Sequence, residues 1–190
     1  MSQVRWVVVD TETSGLDPKR DRLLSIGAVA VAEGRIQLAE SFGVVVQQSQ
    51  PSGADNILIH GIGGDAQLAG LAAAEALKEF ERFLGNGVPV AFHARFDAAV
   101  LQRAGFRSRK WLDLDPLARA LFPARAGLRA LDDWLQHFGI GAVRRHDALL
   151  DALATAELLL VMLAEGARQG ISSLEGALAT ARGSRWLAPG

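Results

Sequence analysis

The chain has 190 residues, with 20 Lys and Arg against 21 Asp and Glu, and no cysteine. That length suits one domain with a sizeable core, and 49% hydrophobic with 22% charged residues excludes wholesale disorder. The missing cysteines exclude disulfides, thiolate zinc sites and a cysteine nucleophile, and a net charge of -1 argues against holding polyanions by bulk charge.

The segment Met1 to Asp10 has too short an apolar run before an acid to be a secretory signal. The longest strongly apolar stretch, Leu158 to Leu163, falls far short of the roughly 20 residues a membrane span needs. The expectation is a cytoplasmic protein with no membrane contact, one domain over residues 1–183 and a disordered tail over 184–190. Val4 to Asp10 is a Val-rich run and reads as a buried strand. Leu23 to Ala32 and Ile36 to Val46 read as antiparallel strands, joined by a tight turn at Glu33-Gly34-Arg35. Pro51-Ser52-Gly53 and Gly61-Ile62-Gly63-Gly64 punctuate a loop region, and helical spacing then runs from Leu68 to Leu84. Val88 to Phe92 is a fourth strand, Ala94 to Ala104 a helix closed by Gly105, and Trp111 to Leu114 a fifth strand. Helices are expected around 116–122, 128–138, 147–168 and 171–182. That order predicts an α/β fold with one mixed sheet covered on both faces.

Charge is uneven: residues 101–150 carry 9 basic and 5 acidic groups, from Arg103 through Arg119 to Arg144 and Arg145. Scattered Arg on amphipathic helices reads first as a solvated face and second as a surface for phosphate.

Asp10 and Glu12 stand two apart at the end of an apolar strand, so both carboxylates point to one face and Thr11 to the other. Two such acids repel and lose hydration unless something cationic offsets them. Asp97 falls in the first turn of a helix, where the dipole favours an acid. His146 and Asp151 are five apart, about 140° on a continuous helix, and would not share a face. If Asp147 caps the helix, His146 lies on the preceding loop and can swing over the site that Asp151 faces. Taken singly, each residue also has a plain structural reading: a strand end, a helix start, a surface histidine. Taken together, four acids and an imidazole suit hard divalent ions, and two such ions could clamp a phosphodiester displacement.

Asp10-Thr11-Glu12-Thr13-Ser14-Gly15-Leu16, Phe96-Asp97 and His146-Asp147-Ala148-Leu149-Leu150-Asp151 resemble, in order, the three motifs of the DEDD 3′–5′ exonucleases in their histidine (DEDDh) spacing. Ile59-His60-Gly61-Ile62 and the stretch from Asp113 to Arg119 are similar to further segments of that branch. It includes polymerase III epsilon proofreading subunits, ribonuclease T and oligoribonuclease. The resemblance covers residues 4–165. It implies an RNase H-like fold, a five-stranded mixed sheet with helices on both faces, and two divalent ions, Mg²⁺ or Mn²⁺. By the same resemblance Asp10 bridges both ions, Glu12 and Asp151 complete the tighter site, and Asp97 reaches the second through water. His146 is then the general base, a role for a neutral imidazole. Leu16 and Phe96 fall where the terminal bases are wedged or stacked, and Thr13, Gly15 and His60 where the 3′ end is held.

One position departs from the family pattern: where many relatives carry His-Asn-Ala-x-Phe-Asp, this chain has Phe92-His93-Ala94-Arg95-Phe96-Asp97. His93 replaces the usual Asn, and an orienting or packing role is expected for it, with an additional metal ligand as the alternative. The expected activity is release of nucleoside 5′-monophosphates from single-stranded 3′ ends, DNA ahead of RNA. Beyond residue 165 there is a short Ala-rich helix and no polymerase- or clamp-binding motif, so a free-standing enzyme is expected and a polymerase partner stays open. A catalytically silent nucleic-acid-binding module on the same fold is the alternative.

Overall fold

The computed structural model describes residues 4–107, 109–141 and 146–183. Arg144 and Arg145 of the basic stretch and the expected tail over 184–190 lie outside the described residues. Five strands form one sheet in the order β3-β2-β1-β4-β5: β1 Trp6–Thr13, β2 Leu23–Ala32, β3 Arg35–Val45, β4 Val88–Ala91 and β5 Leu112–Asp113. The first three pair antiparallel, while β1 with β4 and β4 with β5 run parallel. The β2–β3 hairpin closes through Glu33 (φ 53°) and Gly34 (φ 71°), with Ala32 paired to Arg35. Two positive φ values in a two-residue loop match the right-handed strand twist.

Side-chain alternation on β1 divides the interior. Trp6 and Val8 enter a core built with α5 Leu114–Leu121, α6 Leu131–Phe138, α7 Ala148–Arg168 and α8 Leu174–Gly183. Val7 and Val9 enter the opposite core, with α3 Ala73–Leu84 and α4 Arg95–Ala104. The mixed sheet is therefore covered on both faces, as the order of elements predicts. Leu158 and Leu159 of α7 are fully buried, each worth about 1.5–3 kcal/mol of transfer free energy.

The connection from β3 to α3 differs from expectation. Residues read as loop between Gly53 and Gly61 form α1, Ala54–His60. The helix expected from Leu68 to Leu84 is two helices, α2 Gly64–Ala69 and α3, separated at residues 70–72. The break has a cause in packing: a Cβ on Gly70 would lie 2.7 Å from the Val45 carbonyl oxygen. There Leu71 N donates to Val45 O (2.9 Å) and Gln47 N to Leu71 O (2.7 Å), so the segment pairs with the chain leaving β3. β1 also runs three residues beyond the expected Asp10, because Glu12 and Thr13 pair with Ser25 and Leu23.

A second close approach positions α7. Gly27 is the β2 partner of Asp10. A Cβ there would stand 2.2 Å from the Ala148 carbonyl carbon and 2.3 Å from Leu149 N. Only a glycine lets the first turn of α7 sit directly on the sheet beside Asp10.

Candidate active site

Asp10 and Glu12 share the parity of Trp6 and Val8 and face α7, whereas Thr11 faces α4. Glu12 is 9% exposed and Asp151, in the first turn of α7, 5%. Asp147 caps that helix, its Oδ1 accepting from Leu149 N (3.1 Å) and Leu150 N (3.2 Å). His146 consequently sits ahead of the helix in a left-handed conformation (φ 63°), exposed, and its N–H donates to Asp151 Oδ2 at 2.9 Å. One bond thus fixes both the acid and the backbone that carries the imidazole. Ligand atoms of Glu12, His146 and Asp151 lie within 4.8 Å of one another.

Asp97 comes to the site from the other side of the sheet. It is 5% exposed, and Thr11 Oγ1 donates to its Oδ1 at 2.8 Å. Burial pushes its carboxyl up to about 7, the Asp113 charge adds to that, and the Thr11 hydroxyl and nearby backbone N–H groups oppose it. Sequence reading placed Thr11 on the opposite face from the two acids but gave it no part. Its contact with Asp97 spans 86 positions and is visible only in the fold.

All five predicted catalytic and metal residues, Asp10, Glu12, Asp97, His146 and Asp151, line one cleft of about 790 Å³. Thr13, Gly15, Leu16 and Phe96 of the expected substrate-binding set line it too. Leu16 is 92% exposed at the lip. Its loop is tied down by Asp21, which accepts from Asp17 N (2.7 Å) and from Ser14 Oγ (3.3 Å). Gly15 passes so near that carboxylate that a Cβ would fall 2.6 Å from it.

His60 does not line this cleft. It lies in a neighbouring cavity of about 270 Å³ that shares Glu12 with it, and is only 4% exposed. Its Nδ1 accepts from Ile62 N (2.9 Å), so Nε2 carries the ring proton beside Asn56 Oδ1 (2.9 Å) and Ser52 Oγ (3.1 Å). Burial lowers its pKa. Asn56 in turn reaches the Thr13 carbonyl at 3.4 Å. Asn56 and Ile59 of α1 line the cleft beside Leu16, and Phe92 lines it beside Phe96. Sequence reading assigned none of the three a role, although Ile59 and Phe92 fall within the segments compared with the family; the four-residue spacing of Asn56 and His60 was the available signal for the first.

The exonuclease family represented by ribonuclease T matches residues 7–159. A PolC-type DNA polymerase III of Thermotoga petrophila is 32% identical over 176 residues, covering 89% of this chain and 12% of that protein. A DNA polymerase III subunit epsilon-like protein of Rhodobacter capsulatus is 33% identical over 190 residues, covering 96% of this chain and 27% of its own. The chain thus spans a small part of these relatives' length. Among solved structures, Exonuclease X in complex with 5′ overhanging duplex DNA superimposes with a TM-score of 0.76 at 22% identity, covering 93% of this chain and 99% of that one. That likeness establishes the RNase H-like fold. The chain belongs to the DEDDh 3′–5′ exonuclease family. The domain it carries is that of a 3′–5′ exonuclease.

Exonucleases of this family depend on a divalent cation, and the donors fit one. Glu12 and Asp151 are buried carboxylates with His146 close by, and Asp97 is a buried acid that only a cation would keep ionised at low cost. Among the described residues, no helix is long and apolar enough to cross a membrane.

Proposed function

We propose that this domain hydrolyses the terminal phosphodiester at the 3′ end of a single strand, DNA before RNA, and releases nucleoside 5′-monophosphates. The observation that carries the reading is the convergence of Asp10, Glu12, Asp97, Asp151 and His146 on one cleft at the end of β1. The similarity to PolC-type and epsilon-like polymerase III proteins supports DNA as the first substrate.

Asp10, Glu12, Asp97 and Asp151 are the residues that would hold two divalent ions, Mg²⁺ or Mn²⁺. When bound, the ions supply the positive charge that lets a phosphate enter an acidic cleft and that stabilises the developing negative charge. His146 takes a proton from the attacking water as the new O–P bond forms. The P–O3′ bond breaks, and the departing 3′ oxygen takes a proton from solvent. That His146 is exposed, lines the cleft and has its N–H bound to Asp151 supports its role as the base. Leu16 and Phe96 offer apolar faces to the terminal bases, and Thr13 and Gly15 border the 3′ end. His60 acts at one remove, holding Asn56 against the Thr13 carbonyl.

The test is digestion of 5′-labelled single-stranded DNA and RNA of one sequence, with Mg²⁺, Mn²⁺ or EDTA, beside Asp10→Ala. The expected result is a metal-dependent ladder shortening from the 3′ end, faster on DNA and absent in the variant. Binding without cleavage under every condition would instead identify a silent binding module.

A further inference from the structure

His93, the residue that departs from the family pattern, sits in the wall of the cleft between Phe92 and Asp97. Its backbone is left-handed (φ 59°), a conformation that costs a side chain other than Gly or Asn on the order of 1 kcal/mol. Its carbonyl accepts from Phe96 N (2.9 Å), which ties this conformation to the start of α4. The side chain is 58% exposed, and Nδ1 lies 3.8 Å from Asp115 Oδ2, at ion-pair distance.

Asp115 is built for more than a surface contact. Its side chain is 10% exposed, and Oδ2 accepts from Arg119 Nη2 at 2.6 Å. Its other oxygen, Oδ1, is buried without a hydrogen-bond partner among the described residues. Burying that carboxylate is costly, and Arg119 alone does not satisfy it. The imidazole approaches this carboxylate through Nδ1, on the oxygen that Arg119 also holds, and the rest of the largely exposed ring belongs to a residue that lines the cleft.

We propose that His93, braced by Asp115 and Arg119, is a substrate-positioning residue that binds a phosphate of the single strand entering the cleft. Between two anions, a carboxylate behind and a phosphate in front, an imidazolium has one N–H for each. The inference rests on the exonuclease reading for the presence of a nucleic-acid strand in this cleft. Its test, however, measures binding and does not require hydrolysis.

The experiment measures the Kd of a fluorescein-labelled single-stranded DNA by anisotropy across a salt series. Ca²⁺ replaces Mg²⁺, and a gel checks that the strand stays intact. His93→Ala is expected to weaken binding about tenfold, as for one charge-assisted hydrogen bond. It should also flatten the slope of log Kd against log salt by roughly 0.7, the counterion release of one phosphate contact on a single strand. His93→Asn tolerates the left-handed backbone and keeps a neutral donor, so it should recover part of the affinity and none of the slope. Asp115→Asn should weaken binding in the same direction. Wild-type Kd and slope in both His93 variants would overturn the assignment, as would a loss of affinity with an unchanged slope. A wild-type chain that binds but never cuts in Mg²⁺ would remove the exonuclease reading while leaving the Kd comparison decisive for His93.

Discussion

Thr11 Oγ1 donates a hydrogen bond to Asp97 Oδ1 at 2.8 Å, linking the central strand to the first turn of α4 across the sheet from Glu12 and Asp151. This bond matters because burial drives Asp97 toward its neutral form while a cation site needs the carboxylate. Thr11→Val keeps the shape and removes the donor. Asp97 becomes harder to ionise, so the Mn²⁺ concentration for half-maximal hydrolysis should rise about tenfold, as is typical when a ligand's supporting partner is lost. An unchanged Mn²⁺ titration would show that Thr11 does not support the acid.

The same raised acid makes the metal-free fold sensitive to pH. With a folded value of about 7 against 3.8 for the free side chain, the native state binds more protons than the unfolded chain between those values. Stability from this group is complete below about 4 and is lost as pH rises through 7. Urea melts in EDTA should therefore show it falling across that window by as much as a few kcal/mol. Asp97→Asn, which imitates the neutral acid, should flatten the profile and leave the variant more stable than wild type at pH 8. Saturating Mn²⁺ should restore the wild type at neutral pH, since it binds the ionised form. A variant with the full wild-type slope would place the titrating group elsewhere.

Much of this site is readable from the chain because its parts are local. Asp10 and Glu12 share a face by strand alternation, and Asp147 with His146 and Asp151 forms a cap, a preceding loop and a first turn within six residues. The strands Leu23–Ala32 and Arg35–Val45 fall close to the expected Leu23 to Ala32 and Ile36 to Val46, on either side of the Glu33-Gly34 turn. What escaped depends on distant chain. In α1, Leu58 is 84% exposed and Ile59 56%, so its apolar residues give no core-facing period, and the flanking glycines read as loop. The break at Gly70 comes from the Val45 backbone, and nothing local in Thr11 announces Asp97.

Gly27 tests how α7 is seated. Gly27→Ala would press a Cβ onto the backbone of Ala148 and Leu149, at 2.2 and 2.3 Å, and backbone cannot turn aside as a side chain can. The first turn of α7 must lift, carrying Asp147 and Asp151 away from Asp10. We expect a loss of about 3 kcal/mol in urea melts and a fall in hydrolysis, although the substitution touches no catalytic atom. Wild-type stability in this variant would mean that α7 does not lie against β2 as described.

His146 stands close enough to Glu12 and Asp151 to serve as a ligand instead of a base, and one substitution separates the two roles. His146→Asn suits the left-handed backbone at φ 63° and retains the N–H that Asp151 accepts, so the loop and the acid stay in place. A general base removed in this way should lower kcat by about 10²–10⁴. The rise in melting temperature on adding Mn²⁺ should stay as in wild type, because the carboxylates proposed to hold the ions are untouched. If the Mn²⁺ shift disappears together with activity, the imidazole belongs to the metal-binding set and the proton acceptor is another group. If activity survives, water loses its proton to solvent without help from this side chain.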